Sequence, residues 1–161
     1  MPEVLWISGR LLLLSGLLFP VCKTDLKSRQ IGNRWCIALL VAGVFLALLQ
    51  PLLKPPANQG LVFSLLSCGG GALAAGLTGV LCRLIAREGF GMGDVKLLPG
   101  LGAFLGLDLF LRAMAVTGLV SFMTAVVLLL TRKLTRTDSL PFAPFLALGA
   151  VVSQALEYVS L

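Results

Sequence analysis

Two acidic residues in this chain stand where a carboxylate is costly to keep. Asp94 lies in Gly89-Phe90-Gly91-Met92-Gly93-Asp94-Val95-Lys96, a glycine-rich stretch that opens onto an apolar run. Asp25 lies in Lys23-Thr24-Asp25-Leu26-Lys27, just after another apolar run. Ionisable side chains at the mouth of a membrane segment are usually functional. Two facing carboxylates can share one proton, because like charges at close range raise one of the two pKa values. The ionised member then activates water, while the protonated member polarises a carbonyl and later protonates the leaving amine. That is the chemistry of aspartic peptide hydrolysis, and it needs no histidine, cysteine nucleophile or metal.

The composition suits that chemistry. The chain has no histidine, and its four cysteines (Cys22, Cys36, Cys68, Cys82) form no Cys-x-x-Cys pair. Zinc and haem sites therefore lack their usual ligands, and no metal or other cofactor is expected. The cysteines lie in or beside apolar runs and read as small buried hydrophobes. Gly91 and Gly93 remove side chains beside Asp94, so an extended substrate backbone can approach closely. Lys96 can balance charge at such a site or snorkel to lipid headgroups. Both acids also admit a plainer reading. Asp25 can be an interfacial helix cap or pair with Lys23 or Lys27, and Asp94 can be a solvated loop acid between glycine turns. Spacing alone leaves these open.

The elements that must position the acids are membrane helices. Of the 161 residues, 58% are hydrophobic and only 12% charged, with a mean hydropathy of +1.00. A soluble domain carries roughly twice that charged fraction, about 25%. Such an apolar excess must face lipid. Six spans are expected: Val4 to Cys22, Trp35 to Leu53, Leu61 to Ala86, Leu97 to Phe110, Ala113 to Thr131 and Leu140 to Val159. The first lacks a positively charged start and an Ala-x-Ala site, so it reads as a retained helix, interrupted by Arg10, rather than a secretory signal. The third is rich in glycine and alanine, which lets neighbouring helices approach closely. The fourth is short against the roughly 20 residues a span needs, and Asp108 to Arg112 reads as a tight turn after it. Asp108 and Asp138 read as solvated loop charges. One domain, residues 1–161, accounts for the whole chain.

Charge placement then predicts orientation. Ten of the thirteen basic residues fall in loops one, three and five: Lys23, Lys27, Arg29, Arg34, Arg83, Arg87, Lys96, Arg132, Lys133 and Arg136. The positive-inside rule puts those loops in the cytoplasm and both termini outside. Asp25 and Asp94 then share one membrane depth on the cytoplasmic side. The formal charge of +6 reflects this pattern rather than a nucleic-acid face, so no nucleic-acid partner is expected.

The motifs carry a resemblance. Gly91-Met92-Gly93-Asp94-Val95-Lys96-Leu97 resembles the Gly-x-Gly-Asp-x-Lys motif of the type IV prepilin peptidases, which are membrane aspartic peptidases; Gly-x-Gly-Asp is shared with presenilin-type proteases. Thr24-Asp25-Leu26-Lys27, followed by Ile31-Gly32-Asn33, is similar to that family's first aspartate motif, with Gly32 in place of its usual proline. Pro141-Phe142-Ala143-Pro144-Phe145-Leu146-Ala147-Leu148-Gly149 resembles its last-span segment. The three motifs stand in the family's order and cover essentially the whole chain.

The resemblance implies a six-helix, all-α membrane endopeptidase that uses Asp25 and Asp94 as its catalytic pair, with Gly91, Gly93 and Lys96 in support. By that resemblance it is expected to cut the leader from prepilin-like precursors at the cytoplasmic membrane face. The substrate implied has a short basic leader, a glycine before the cut and a hydrophobic helix after it. Longer members carry a cytoplasmic zinc segment with paired Cys-x-x-Cys and an N-methyltransferase activity. The stretch from Lys23 to Arg34 has no room for that segment, so the likeness is to the short, peptidase-only members, such as those of tight-adherence pilus systems or the preflagellin peptidases. A pseudopilin substrate fits the same residues. A small transporter using the two acids as ion or proton ligands is the rival from another class, and it would call for internal repeats or charges at the midplane.

Overall fold

The computed structural model describes residues 2–28, 32–53, 60–86, 91–131 and 142–159. Expectations for Arg29 to Ile31, Lys54 to Gln59, Arg87 to Phe90 and Arg132 to Pro141, including Asp138 and the basic fifth loop, lie outside them. Among the described residues all regular structure is helical, in six helices: α1 (Pro2–Ser28), α2 (Asn33–Leu53), α3 (Leu61–Ala86), α4 (Met92–Leu105), α5 (Leu107–Leu130) and α6 (Ala143–Val159). Four of them, α1, α2, α3 and α5, are long and apolar enough to cross a membrane. Their outward faces carry large apolar side chains such as Phe45, Leu66, Ile85 and Phe122. Lipid is the solvent that such a surface fits, and helices are what lipid requires, because every backbone polar group must be satisfied within the segment. This is an all-α membrane architecture.

Helix α4 is the centre. At 14 residues it is about 21 Å long, against a bilayer core of about 30 Å. It does not need to face lipid, because every residue from Gly100 to Leu105 is buried, as are Leu97 and Leu98. Its packing is most extensive against α3 and α2, while α5 packs chiefly on α6 and α1 on α6. Glycines make the central crossings possible. A Cβ on Gly71 of α3 would collide with the carbonyl oxygen of Gly102 on α4, and one on Gly43 of α2 would lie 2.5 Å from the Phe104 nitrogen. Between transmembrane helices, such backbone approach replaces the hydrophobic drive that water supplies elsewhere.

The helix ends differ from the expected ones in three places. Helix α1 continues past Cys22 to Ser28, which puts Asp25 within the helix rather than in a loop. Thr24-Asp25-Leu26-Lys27 contains no glycine or proline, so the end of the apolar run marks a change of face and not a helix stop. Helix α4 begins at Met92 after an extended Gly91, so Asp94 and Lys96 stand on its first turns. Lastly, the expected turn at Asp108 to Arg112 is helical. The break falls at Gly106, whose φ of 78° suits glycine, and Asp108 and Arg112 form an i,i+4 ion pair at 2.8 Å on exposed helix surface.

Candidate active site

Asp25 arrives from the last turns of α1 and Asp94 from the first turn of α4. Both are buried, at 5% and 8% exposed, although neighbouring Leu26, Lys27 and Met92 are open. Asp94 precedes the apolar part of α4 and lies outside the four long spans. Burial, and then the negative charge of Asp25, push its carboxyl up to about 7. Both causes disfavour the carboxylate form. The Asp94 Oδ1 atom is buried and has no hydrogen-bond partner. An ionised oxygen left so would be expensive, and a protonated carboxyl is less so.

Asp25 has a different neighbourhood. The backbone N–H of Ala143, the first residue of α6, donates to its Oδ2 across 3.4 Å. The first N–H groups of a helix have no intrahelical acceptor, and the helix dipole favours negative charge at that end. Helix α6 begins at Ala143, after Pro141 and Phe142. Pro144 falls in the first turn, where its missing N–H breaks no helical bond. The Cys22 thiol, one turn before Asp25, faces the Ala143 carbonyl oxygen at 3.7 Å. The two acids thus sit in opposed settings: one at a helix N-terminus, the other in a desolvated niche with an orphan oxygen.

The supporting residues divide. The Gly91 carbonyl accepts from the backbone N–H groups of Asp94 and Val95, at 3.1 and 3.3 Å. A Cβ on Gly91 would approach Asp94 Oδ2 to 3.2 Å, so glycine there leaves clearance beside the carboxyl. Its φ of −64° and ψ of 139° are open to any residue; space is the requirement, not conformation. Gly93 is half-buried on the same turn. Lys96 is exposed, with its Nζ donating to Asn33 Oδ1 of α2 at 3.4 Å. It links two of the three sequence motifs, because Asn33 belongs to the first and Lys96 to the second. The Ala143 N–H supplies the third. In the sequence that segment stands only as a motif, and the signal for its role is Pro144 in the first turn of a helix. Among the described residues, no group of three or more His, Cys, Asp or Glu could hold a metal ion.

Known proteins resemble this chain in sequence. A 70-residue stretch is 36% identical to the prepilin leader peptidase/N-methyltransferase of Xanthomonas campestris, covering 44% of this chain and 24% of that protein. The protein of the same name from Bacillus subtilis is 30% identical over 152 residues, 94% of this chain and 54% of its own length. That of Aeromonas hydrophila is 34% identical over 70 residues, 44% of this chain and 24% of the relative. The chain therefore spans between about a quarter and about half of the length of these curated relatives. No solved structure matches it. The sequence profile of the type IV leader peptidase family matches residues 12–130, a stretch that takes in both Asp25 and Asp94. The chain belongs to that family.

Proposed function

We propose that this chain is a membrane-embedded aspartic endopeptidase that removes the leader from type IV prepilin-like precursors, with Asp25 and Asp94 as its catalytic pair. The observation that carries the reading is the pair of buried carboxyls of Asp25 and Asp94, with Asp94 Oδ1 unpartnered and its carboxyl pushed up to about 7 by burial and by the charge of Asp25. Two groups whose environments separate their protonation states have the arrangement that acid–base assignment requires. Asp25, at the N-terminus of α6, is the ionised base and takes a proton from the attacking water. Asp94 is the acid: it donates a hydrogen bond to the scissile carbonyl and gives its proton to the leaving amine as the tetrahedral intermediate collapses, and the proton that Asp25 took from water then passes to Asp94 to restore the pair. Gly91 and Gly93 give the substrate backbone room, and Lys96 fixes the start of α4 through Asn33.

The family supports prepilin-like substrates, and the relatives' printed names pair leader peptidase with N-methyltransferase. We assign the peptidase half to this chain. The finer substrate class is the tight-adherence type, with preflagellin and pseudopilin precursors as neighbours in chemistry. The surplus of basic residues in loops one, three and five supports a site at the cytoplasmic face of the cell membrane, both termini outside, within one domain spanning residues 1–161. The hydrophobic helix of the precursor would pack in lipid beside the bundle, leaving the scissile bond at the depth of the two acids. Co-expression with precursors of the three classes tests the assignment. A mobility shift and a new N-terminus just after the leader glycine, for the tight-adherence precursor, is the expected result. Cleavage of another class alone would move the substrate assignment, and cleavage of none would overturn the peptidase reading.

A further inference from the structure

Arg10 is a charged residue of α1 whose presence the peptidase chemistry does not explain. A cation within a membrane span is costly, and lipid-facing arginines reduce that cost by snorkelling to an interface. Arg10 does not snorkel. It is 9% exposed, its Nη2 donates to the Phe104 carbonyl oxygen at 2.9 Å and reaches that of Leu105 at 3.5 Å, and its guanidinium lies 6.0 Å from the centre of the Phe104 ring. Those carbonyls are the last two of α4. They are freed because the chain turns at Gly106, and a cation at a helix C-terminus meets both the orphan acceptors and the dipole. Glu157 of α6 lines the same cavity of about 160 Å³, and its charge acts on the guanidinium.

We propose that Arg10 is a positioning residue for the aspartate pair: it clasps the C-terminal end of α4 to α1 and so sets the depth at which Asp94 faces Asp25. The same three helices meet at both ends of the bundle. At one end they contribute Asp25 (α1), Asp94 (α4) and the Ala143 N–H (α6). At the other they contribute Arg10, the Phe104 and Leu105 carbonyls, and Glu157. Arg10 lies about 22 Å along α1 from Asp25, and Phe104 about 15 Å along α4 from Asp94, at 1.5 Å per residue. Helices α1 and α4 each pack most extensively on other partners, α1 on α6 and α4 on α3 and α2. Their axial offset is therefore not fixed by a long mutual seam, and a forked, charge-assisted hydrogen bond at one end is suited to fix it.

The proposal rests on the peptidase reading for its consequence, but its geometry can be tested without substrate. With Cys22, Cys36, Cys68 and Cys82 replaced by serine, spin labels are placed at the exposed positions Lys27 of α1 and Met92 of α4, and the protein is measured in lipid nanodiscs by pulsed dipolar spectroscopy. Parent protein should give one narrow distance distribution. Arg10→Met should shift or broaden it by several ångströms, with helix content unchanged. In a cleavage assay the same variant should lose about 10- to 100-fold in kcat with KM within about 2-fold, the pattern of misplaced reacting groups rather than lost substrate binding. An unchanged distribution in Arg10→Met overturns the clasp, whatever the activity does. If Arg10→Met does not fold, Arg10→Gln, which drops the charge and keeps an amide donor, is read by the same two outcomes. A shifted distribution in a chain whose parent cleaves no precursor would keep the clasp and refute the peptidase reading.

Discussion

The backbone N–H of Ala143 points at Oδ2 of Asp25 across 3.4 Å, so the start of one helix meets a carboxylate near the end of another. That contact breaks the symmetry between two buried acids. It gives Asp25 a donor and a favourable dipole, while Asp94 keeps an unpartnered buried oxygen. On the proposed mechanism, base and acid are assigned by this difference.

Removing the donor should therefore hurt the base. Ala143→Pro deletes the N–H at the first residue of α6, a position where proline is otherwise tolerated. A hydrogen bond to a charged group contributes about 1.5–3 kcal/mol, so kcat should fall roughly 10- to 100-fold while Ala143→Gly stays near the parent value. Steady-state cleavage of a leader peptide by the two variants, compared at one pH, checks it.

The proton on Asp94 should be visible in the pH profile. A carboxyl raised to about 7 by burial and by the charge of Asp25 keeps its proton below that pH and loses it above. The acid role is thus filled in mildly acidic and neutral solution, and kcat should decline as pH rises through about 7. Asp94→Asn should remove the band of a protonated carboxyl from the infrared difference spectrum at pH 6. A kcat that stays level from pH 6 to 9 would contradict the assignment of Asp94 as the acid.

The crossing of α3 on α4 should tolerate no side chain. A Cβ on Gly71 meets the backbone oxygen of Gly102, and one on Gly102 meets the Ala75 Cβ at 2.6 Å. Backbone cannot rotate away as a flexible side chain would, so the helices must part. Gly71→Ala should cost about 1–3 kcal/mol, the range of overpacked cores, and lower the thermal midpoint in detergent. Gly69→Ala, where the added carbon meets nothing within 4 Å, is the matched control and should be neutral.

Much of this was legible in the residues. Both acids stood out because a carboxylate beside an apolar run is costly to keep, and the glycines of α3 announced close helix packing. What sequence could not show were contacts made by backbone atoms. Arg10 read as an interruption of a span, because its acceptors are carbonyl oxygens 94 and 95 residues away. The Ala143 donor was hidden for the same reason, since a backbone N–H leaves no mark in the sequence. The end of α1 was misjudged because Lys23 and Lys27 signal water, and a helix can leave the apolar layer without unwinding. The turn assigned to Asp108 and Arg112 fell instead at Gly106, since opposite charges four residues apart serve a helix as well as a loop.

The most direct test of the account is cleavage of a purified prepilin-like precursor by the parent chain and by Asp25→Asn and Asp94→Asn in lipid nanodiscs, with the product's new N-terminus read by mass spectrometry. Each asparagine keeps the shape of the side chain and removes its acid–base function. The parent should cleave after the leader and either variant should lose at least about 1,000-fold in kcat, because the two groups act as a unit. Helix content should be unchanged. Parent-like processing by either asparagine variant would contradict the account.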